Sequence, residues 1–182
     1  MRARKDSRQP TFNGSFDGAH HAIVNLSITT NDAHAGLFGM LGEDVEMKDL
    51  VFARPTIQVT DDNQFVGVLT GESTQDNICN VHVFDGQISG EADATIGGIV
   101  GGSFLYTNFN DCSFQGSINT PEASPVGGIV GHHGLHARRT GGCSVRLHHQ
   151  RTRQGPLHRE GNGRYGSSDN GKGNSKIIAY EE

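Results

Sequence analysis

The sequence predicts an all-β fold, a parallel β-solenoid of about four coils, and three observations lead there. A Gly-flanked hexapeptide returns at a fixed interval, short runs alternate apolar and polar residues between those returns, and Gly, Asn and Asp punctuate the runs. No 11-residue window carries a helical stripe, and paired glycines weaken a helix by about 1 kcal/mol each.

The first series is His34-Ala-Gly-Leu-Phe-Gly39, Val66-Gly-Val-Leu-Thr-Gly71, Ile96-Gly-Gly-Ile-Val-Gly101 and Val126-Gly-Gly-Ile-Val-Gly131, whose last three members start 30 residues apart. A second series centres on Leu26, Leu50, Val81 and Cys112, spaced 24, 31 and 31. A third, Phe-x-Gly-x-Ile, occurs at Phe84–Ile88 and Phe114–Ile118. Repeats of this length mark stacked units that cannot bury their own apolar faces singly.

Within each copy the apolar residues alternate, as in Leu50/Phe52 and Val81/Val83, which is the two-residue period of a strand. Two or three strands of about five residues per lap, with corners at the turn residues, then place equivalent positions above one another, coils about 4.8 Å apart. Leu37, Leu69, Ile99 and Ile129 are expected to form one internal file, Leu26, Leu50, Val81 and Cys112 a second, and Phe84 over Phe114 a third. The recurrent glycines serve either a corner needing positive φ or a close approach of one coil to the next. The second copy departs from the pattern at Val68 and Thr70, and its coil is expected to be distorted.

The chain divides at Gly131. Residues 1–131 carry 6 Lys+Arg against 16 Asp+Glu, whereas residues 132–182 carry 9 against 4, within a total of −5 over 182 residues. Leu, Ile, Val and Phe supply 35 of the first 131 residues but 6 of the last 51, too few to bury a core. The expected organisation is a disordered segment at 1–11, the coils at 12–131, and a disordered or non-native His/Arg/Gly-rich tail at 132–182. Acids outnumber bases overall, which excludes a nucleic-acid binder of the strongly basic kind. No apolar run of about 18 residues predicts a membrane span, and the basic start leads into no apolar stretch of a signal peptide.

The phrase Phe12-Asn-Gly-Ser-Phe-Asp-Gly-Ala-His-His-Ala-Ile-Val-Asn-Leu-Ser-Ile28, followed by Ala35-Gly-Leu-Phe-Gly39 and the Gly-Gly-Ile-Val-Gly copies, resembles the GLUG-motif repeat family. Such repeats occur in large bacterial surface and secreted proteins, including adhesins and the non-catalytic part of immunoglobulin A proteases. Over residues 12–131 the resemblance implies a right-handed parallel β-helix at the cell surface or outside the cell, with a structural or adhesive role. It implies glycans or proteins of a host or cell surface as partners, and it brings no catalytic residue and no cofactor. The rival expectation is a fragment of a secreted polysaccharide-cleaving β-helix or of a protease's repeat region.

Several residue sets invite chemistry. His132, His133, His136, Cys143, His148 and His149 could bind zinc, but only His132 and His136 have suitable spacing and a rigid four-ligand frame is lacking. Cys112 and Cys143 fall one rung apart with parallel Cβ vectors, poor for a disulfide, so Cys112 reads as a small buried hydrophobe; Cys79 aligns with Asn110 instead. Asn25, Asp49, Asn80 and Asp111 recur once per coil, which puts Asp49 and Asp111 about 9–10 Å apart, at the outer edge of an inverting glycosidase pair. A ladder of turn residues bonded to backbone is the plainer expectation. Asp61, Asp62 and Asn63, with Glu43 and Asp44, read as solvated loops rather than a calcium site. Asn13-Gly-Ser15 and Asn25-Leu-Ser27 match a glycosylation sequon, Gly97–Gly102 lacks the ending of a phosphate loop, and spacing supports no Ser-His-Asp or Cys-His arrangement. No catalytic, cofactor or metal residue is therefore assigned. The uncapped end coils are expected to self-associate.

Overall fold

The coordinates are a computed structural model that describes residues 11–60, 64–90, 94–105, 107–120 and 124–134, together with the backbone of Arg138–Arg139 and Ser144–Arg151. All the strands pair in parallel and no helix occurs among these residues. The chain winds through three sheets on each lap. One sheet stacks Thr11–Phe12, Phe38–Leu41, Thr70–Thr74, Val100–Phe104 and Val130–His133. A second stacks His34–Ala35, Phe65–Val66, Thr95–Gly97 and Val126–Gly127. The third and longest contains Ser27–Thr30, Glu46–Ala53 with Thr56–Val59, Asn77–Ser89, Ser113–Thr120 and Ser144–Arg151.

The coils stack as the period demands. Thr70 pairs with Val100 and Val100 with Val130, and on the long sheet Val81 pairs with Leu50 and His82 with Ser113. Leu37, Leu69, Ile99 and Ile129 form the expected file, linked by Leu37 N–H to Val68 O and Ile99 N–H to Ile129 O. Past Gly131 the ladder continues, with eight residues of Ser144–Arg151 paired to Ser113–Thr120. The remaining tail, 135–137, 140–143 and 152–182, and the N-terminal segment 1–10 lie outside the described residues.

Two expected files are corrected by register. Leu26 does not join Leu50: the first coil is offset by 29 residues here, Ser27 facing Thr56 and Ala22 facing Val51, so the level of Leu50 meets the Gly18–His21 turn. Leu26 stands beside Pro55 instead, where its carbonyl accepts from Thr56 N–H. Phe84 does not stack on Phe114. Asn77–Ser89 carries one extra residue between Val83 and Gly86, a β-bulge, so Val83 faces Phe114 and Phe84 turns outward, 44% exposed. The file that Phe114 enters is Phe52, Val83 and Phe114, all buried. Beside it runs Ile28, Ile57, Ile88 and Ile118, the apolar spine of the long sheet.

At the second copy the chain is one residue longer than in the first. Ala35 faces Val66 but Phe38 faces Thr70, and the added length accommodates Val68, which is fully buried. Thr70 sits in the valine position and its hydroxyl donates to Glu72 O at 2.8 Å.

Of the two roles open to the recurrent glycines, close approach is the one used. A Cβ on Gly101 would stand 2.3 Å from Val66 N and one on Gly71 2.6 Å from Phe65 O, and neither residue has a left-handed φ. The two shorter sheets therefore meet backbone to backbone at the Gly-x-x-Gly bend. Corners elsewhere are turned by non-glycine residues at φ between 48° and 65°. Ala19 and His20 form a pair in the first coil, and the other nine stack in three ladders: Asp44, Gln75 and Leu105; Asp49, Asn80 and Asp111; Asn25, Arg54 and Asp85. Six of the nine are Asn or Asp, the side chains that visit the left-handed region at least cost.

Candidate binding face

The long sheet buries one side of each strand and presents the other. Flanking the internal isoleucine spine are two outward files, Ser27, Thr56, Gln87 and Ser117, and Thr29, Gln58, Ser89 and Asn119. Six of these eight side chains are exposed, Ser89 and Ser117 half-buried, and none carries a charge. Strand geometry sets them about 4.8 Å apart along each file and about 6.7 Å apart across the strand. The isoleucine packing beneath fixes the backbone, so hydroxyl and amide groups are held on a regular grid.

The turn ladder expected from Asn25, Asp49, Asn80 and Asp111 is present for three of the four. Asn25 belongs to the neighbouring ladder, because the 29-residue offset of the first coil sets it against Arg54, whose Nε donates to Asn25 Oδ1 at 3.1 Å. Within the remaining set, Asn80 Nδ2 donates to Asp49 Oδ1 at 2.6 Å across the coil boundary, side chain to side chain. Asn80 thus lies between Asp49 and Asp111, and Asp111 is exposed.

That bond continues into a chain that spacing did not reveal. His82 Nε2 lies 2.7 Å from Asn80 Oδ1, and His82 Nδ1 lies 2.7 Å from Ser113 Oγ. The Asp49 carboxylate only accepts, so it draws the amide nitrogen of Asn80 and turns Oδ1 toward the imidazole. In the neutral ring the proton then lies on Nε2, and Ser113 donates to Nδ1. His20 Nδ1 also lies 3.8 Å from Asp49 Oδ1, but its ring is largely exposed. The signal was available in the repeat: Ser113 follows His82 by one 31-residue lap.

A second polar cluster is internal. Asp76 is completely buried, accepting from Val45 N–H at 3.0 Å, Thr74 N–H at 2.9 Å and the Ser73 hydroxyl at 2.6 Å. Burial outweighs these donors and pushes its carboxyl up to about 6. Elsewhere His34 Nε2 pairs with Glu72 Oε2 at 2.8 Å and its ring stacks on Phe65.

The zinc candidates separate. His132 and His133 are adjacent on Val130–His133, facing Gly102 and Ser103, so they point to opposite sides of the strand, and His132 packs on Phe104. His136 and Cys143 lie outside the described residues, as do the side chains of His148 and His149. Among the described residues no group of three or more His, Cys, Asp or Glu is placed to hold a metal ion. Cys112 is buried, with Sγ 3.4 Å from Ile78 O, and Cys79 faces Asn110. Glu43 and Asp44 are exposed, and Asp61, Asp62 and Asn63 lie outside the described residues. No helix among the described residues is long and apolar enough to cross a membrane. Against protein-family models, curated proteins and solved structures, the chain finds no match.

Proposed function

We propose that the chain is a non-catalytic structural and adhesive repeat module of a bacterial cell-surface or secreted protein, of the GLUG-motif type. The observation that carries this reading is the uncharged grid on the long sheet. A flat face of hydroxyls and amides at strand spacing suits a neutral polymer that offers hydroxyl groups at intervals, such as a glycan, because each rung adds a hydrogen bond at little ordering cost. Preorganisation by the isoleucine spine supports the same reading. A stiff stack of coils also serves to project such a face away from an anchoring surface.

The test is binding of the full chain to an array of neutral and acidic glycans. Retention of a neutral glycan without turnover, reduced at least tenfold by Thr56→Lys together with Gln87→Lys, is the expected result. Release of unsaturated sugars from pectin or alginate would replace this reading with the polysaccharide-cleaving one.

A further inference from the structure

We propose that Ser113 is an acyl-accepting nucleophile, a site that takes an acyl group from a carboxylic ester, with His82 as its general base. The chain Ser113–His82–Asn80–Asp49 has the parts such a site needs. A hydroxyl and an imidazole nitrogen lie 2.7 Å apart, and the other ring nitrogen is held at 2.7 Å by an oriented acceptor. The orientation is not arbitrary, because the Asn80 amide is itself fixed by Asp49 at 2.6 Å. Every link is a side chain on the outer side of the long sheet and is half-buried rather than enclosed in the core. Asn80 is locked further by its left-handed backbone, φ 54°, which aims the amide along the stack. Asn80 and Asp49 are positioning residues here. The reacting atoms are Ser113 Oγ and His82 Nδ1.

The step balances without a further reagent. Ser113 Oγ attacks the ester carbonyl carbon, and its proton passes to His82 Nδ1. The new Oγ–C bond forms as the ester C–O bond breaks, and the proton leaves with the departing alcohol. General-base assistance of this kind contributes about 10²–10⁴-fold. An oxyanion hole would add about 10²–10³-fold, but Ser113 is paired on both sides, to His82 and Ser144, and the ladder engages the nearby N–H groups. The site is therefore expected to acylate once per chain rather than to turn over rapidly. This inference does not depend on the glycan reading.

The experiment exposes the full chain to p-nitrophenyl acetate and follows the Ser113 peptide by mass spectrometry. The expected result is one acetyl group on Ser113, added about 10²-fold faster than in His82→Gln and about tenfold faster than in Asn80→Gly, which keeps the left-handed turn. Acetylation of Ser113 no faster than of Ser117, or an unchanged rate in a folded His82→Gln chain, would overturn the proposal. Should the variants not fold, nitrogen-15 shifts of His82 in the unaltered chain decide: a proton on Nε2 is required, and one on Nδ1 would overturn it.

Discussion

Gly101 lies so close beneath Val66 that a methyl group on it would stand 2.3 Å from the Val66 amide nitrogen. The same relationship recurs one lap later, where a Cβ on Gly131 would stand 2.6 Å from the Ile96 carbonyl carbon. Backbone cannot yield as a flexible side chain does, so Gly101→Ala forces the two short sheets apart. The expected cost is about 3 kcal/mol or more, in the range of severe overpacking. Gly134→Ala is the control, since its nearest neighbour would be 3.3 Å away, and it is expected to cost under about 1 kcal/mol in the same urea titration.

The β-bulge makes a sharper comparison, because two phenylalanines of the same motif have opposite fates. Phe114 is buried in the file with Phe52 and Val83, whereas Phe84 is 44% exposed. Phe114→Ala is expected to cost about 3–5 kcal/mol. Phe84→Ala is expected to cost under about 1 kcal/mol, as for a surface change. Equal losses in chemical denaturation would mean that the bulge is misplaced.

Asp76 gives the fold a pH dependence of definite sign. Its carboxyl, at about 6 when folded, stands above the ordinary value of 3.8, so the folded chain holds the proton more tightly. The associated stability is present below about pH 4 and is lost as the pH rises through about 6, a change of about 3 kcal/mol. Urea titrations at pH 4 and pH 7 should show this term in the native sequence and not in Asp76→Asn. A carboxyl carbon of Asp76 that titrates below 4 by NMR would contradict it.

Thr120 has a buried hydroxyl with no hydrogen-bond partner among the described residues. Removing an unsatisfied buried polar group without changing shape is neutral or favourable, so Thr120→Val is expected to leave the midpoint unchanged or raise stability by about 1 kcal/mol. A loss of more than about 1 kcal/mol would mean that the hydroxyl is satisfied.

What the repeat made legible was the lap length and the file that the Gly-flanked hexapeptide carries, which keeps its stacking although the second copy is one residue longer. Leu37, Leu69, Ile99 and Ile129 stack as their motif alignment requires, and Cys112 is buried on the level of Val81. The errors fall where length changes inside a lap. One residue added at the Phe84 bulge reverses which phenylalanine points inward, and an offset of 29 in the first coil separates Leu26 from Leu50 and Asn25 from Asp49. A two-residue period makes every single-residue slip an inversion of faces. The corners were legible where Asn and Asp recur, as at Asp49, Asn80 and Asp111, and hidden where Arg54, Gln75 and Leu105 turn them. The Ser113–His82 contact joins residues 31 apart in sequence, so only writing one lap beneath the next brings it into view.

Methyl NOEs among the isoleucines of the long sheet test the stacking most directly. The account requires cross-peaks Ile28–Ile57, Ile57–Ile88 and Ile88–Ile118, the residues that face one another in successive coils, together with the amide pattern of parallel strands. Absence of these cross-peaks in a folded chain, or the close Hα–Hα pairs of antiparallel strands between Val83 and Phe114, would contradict it.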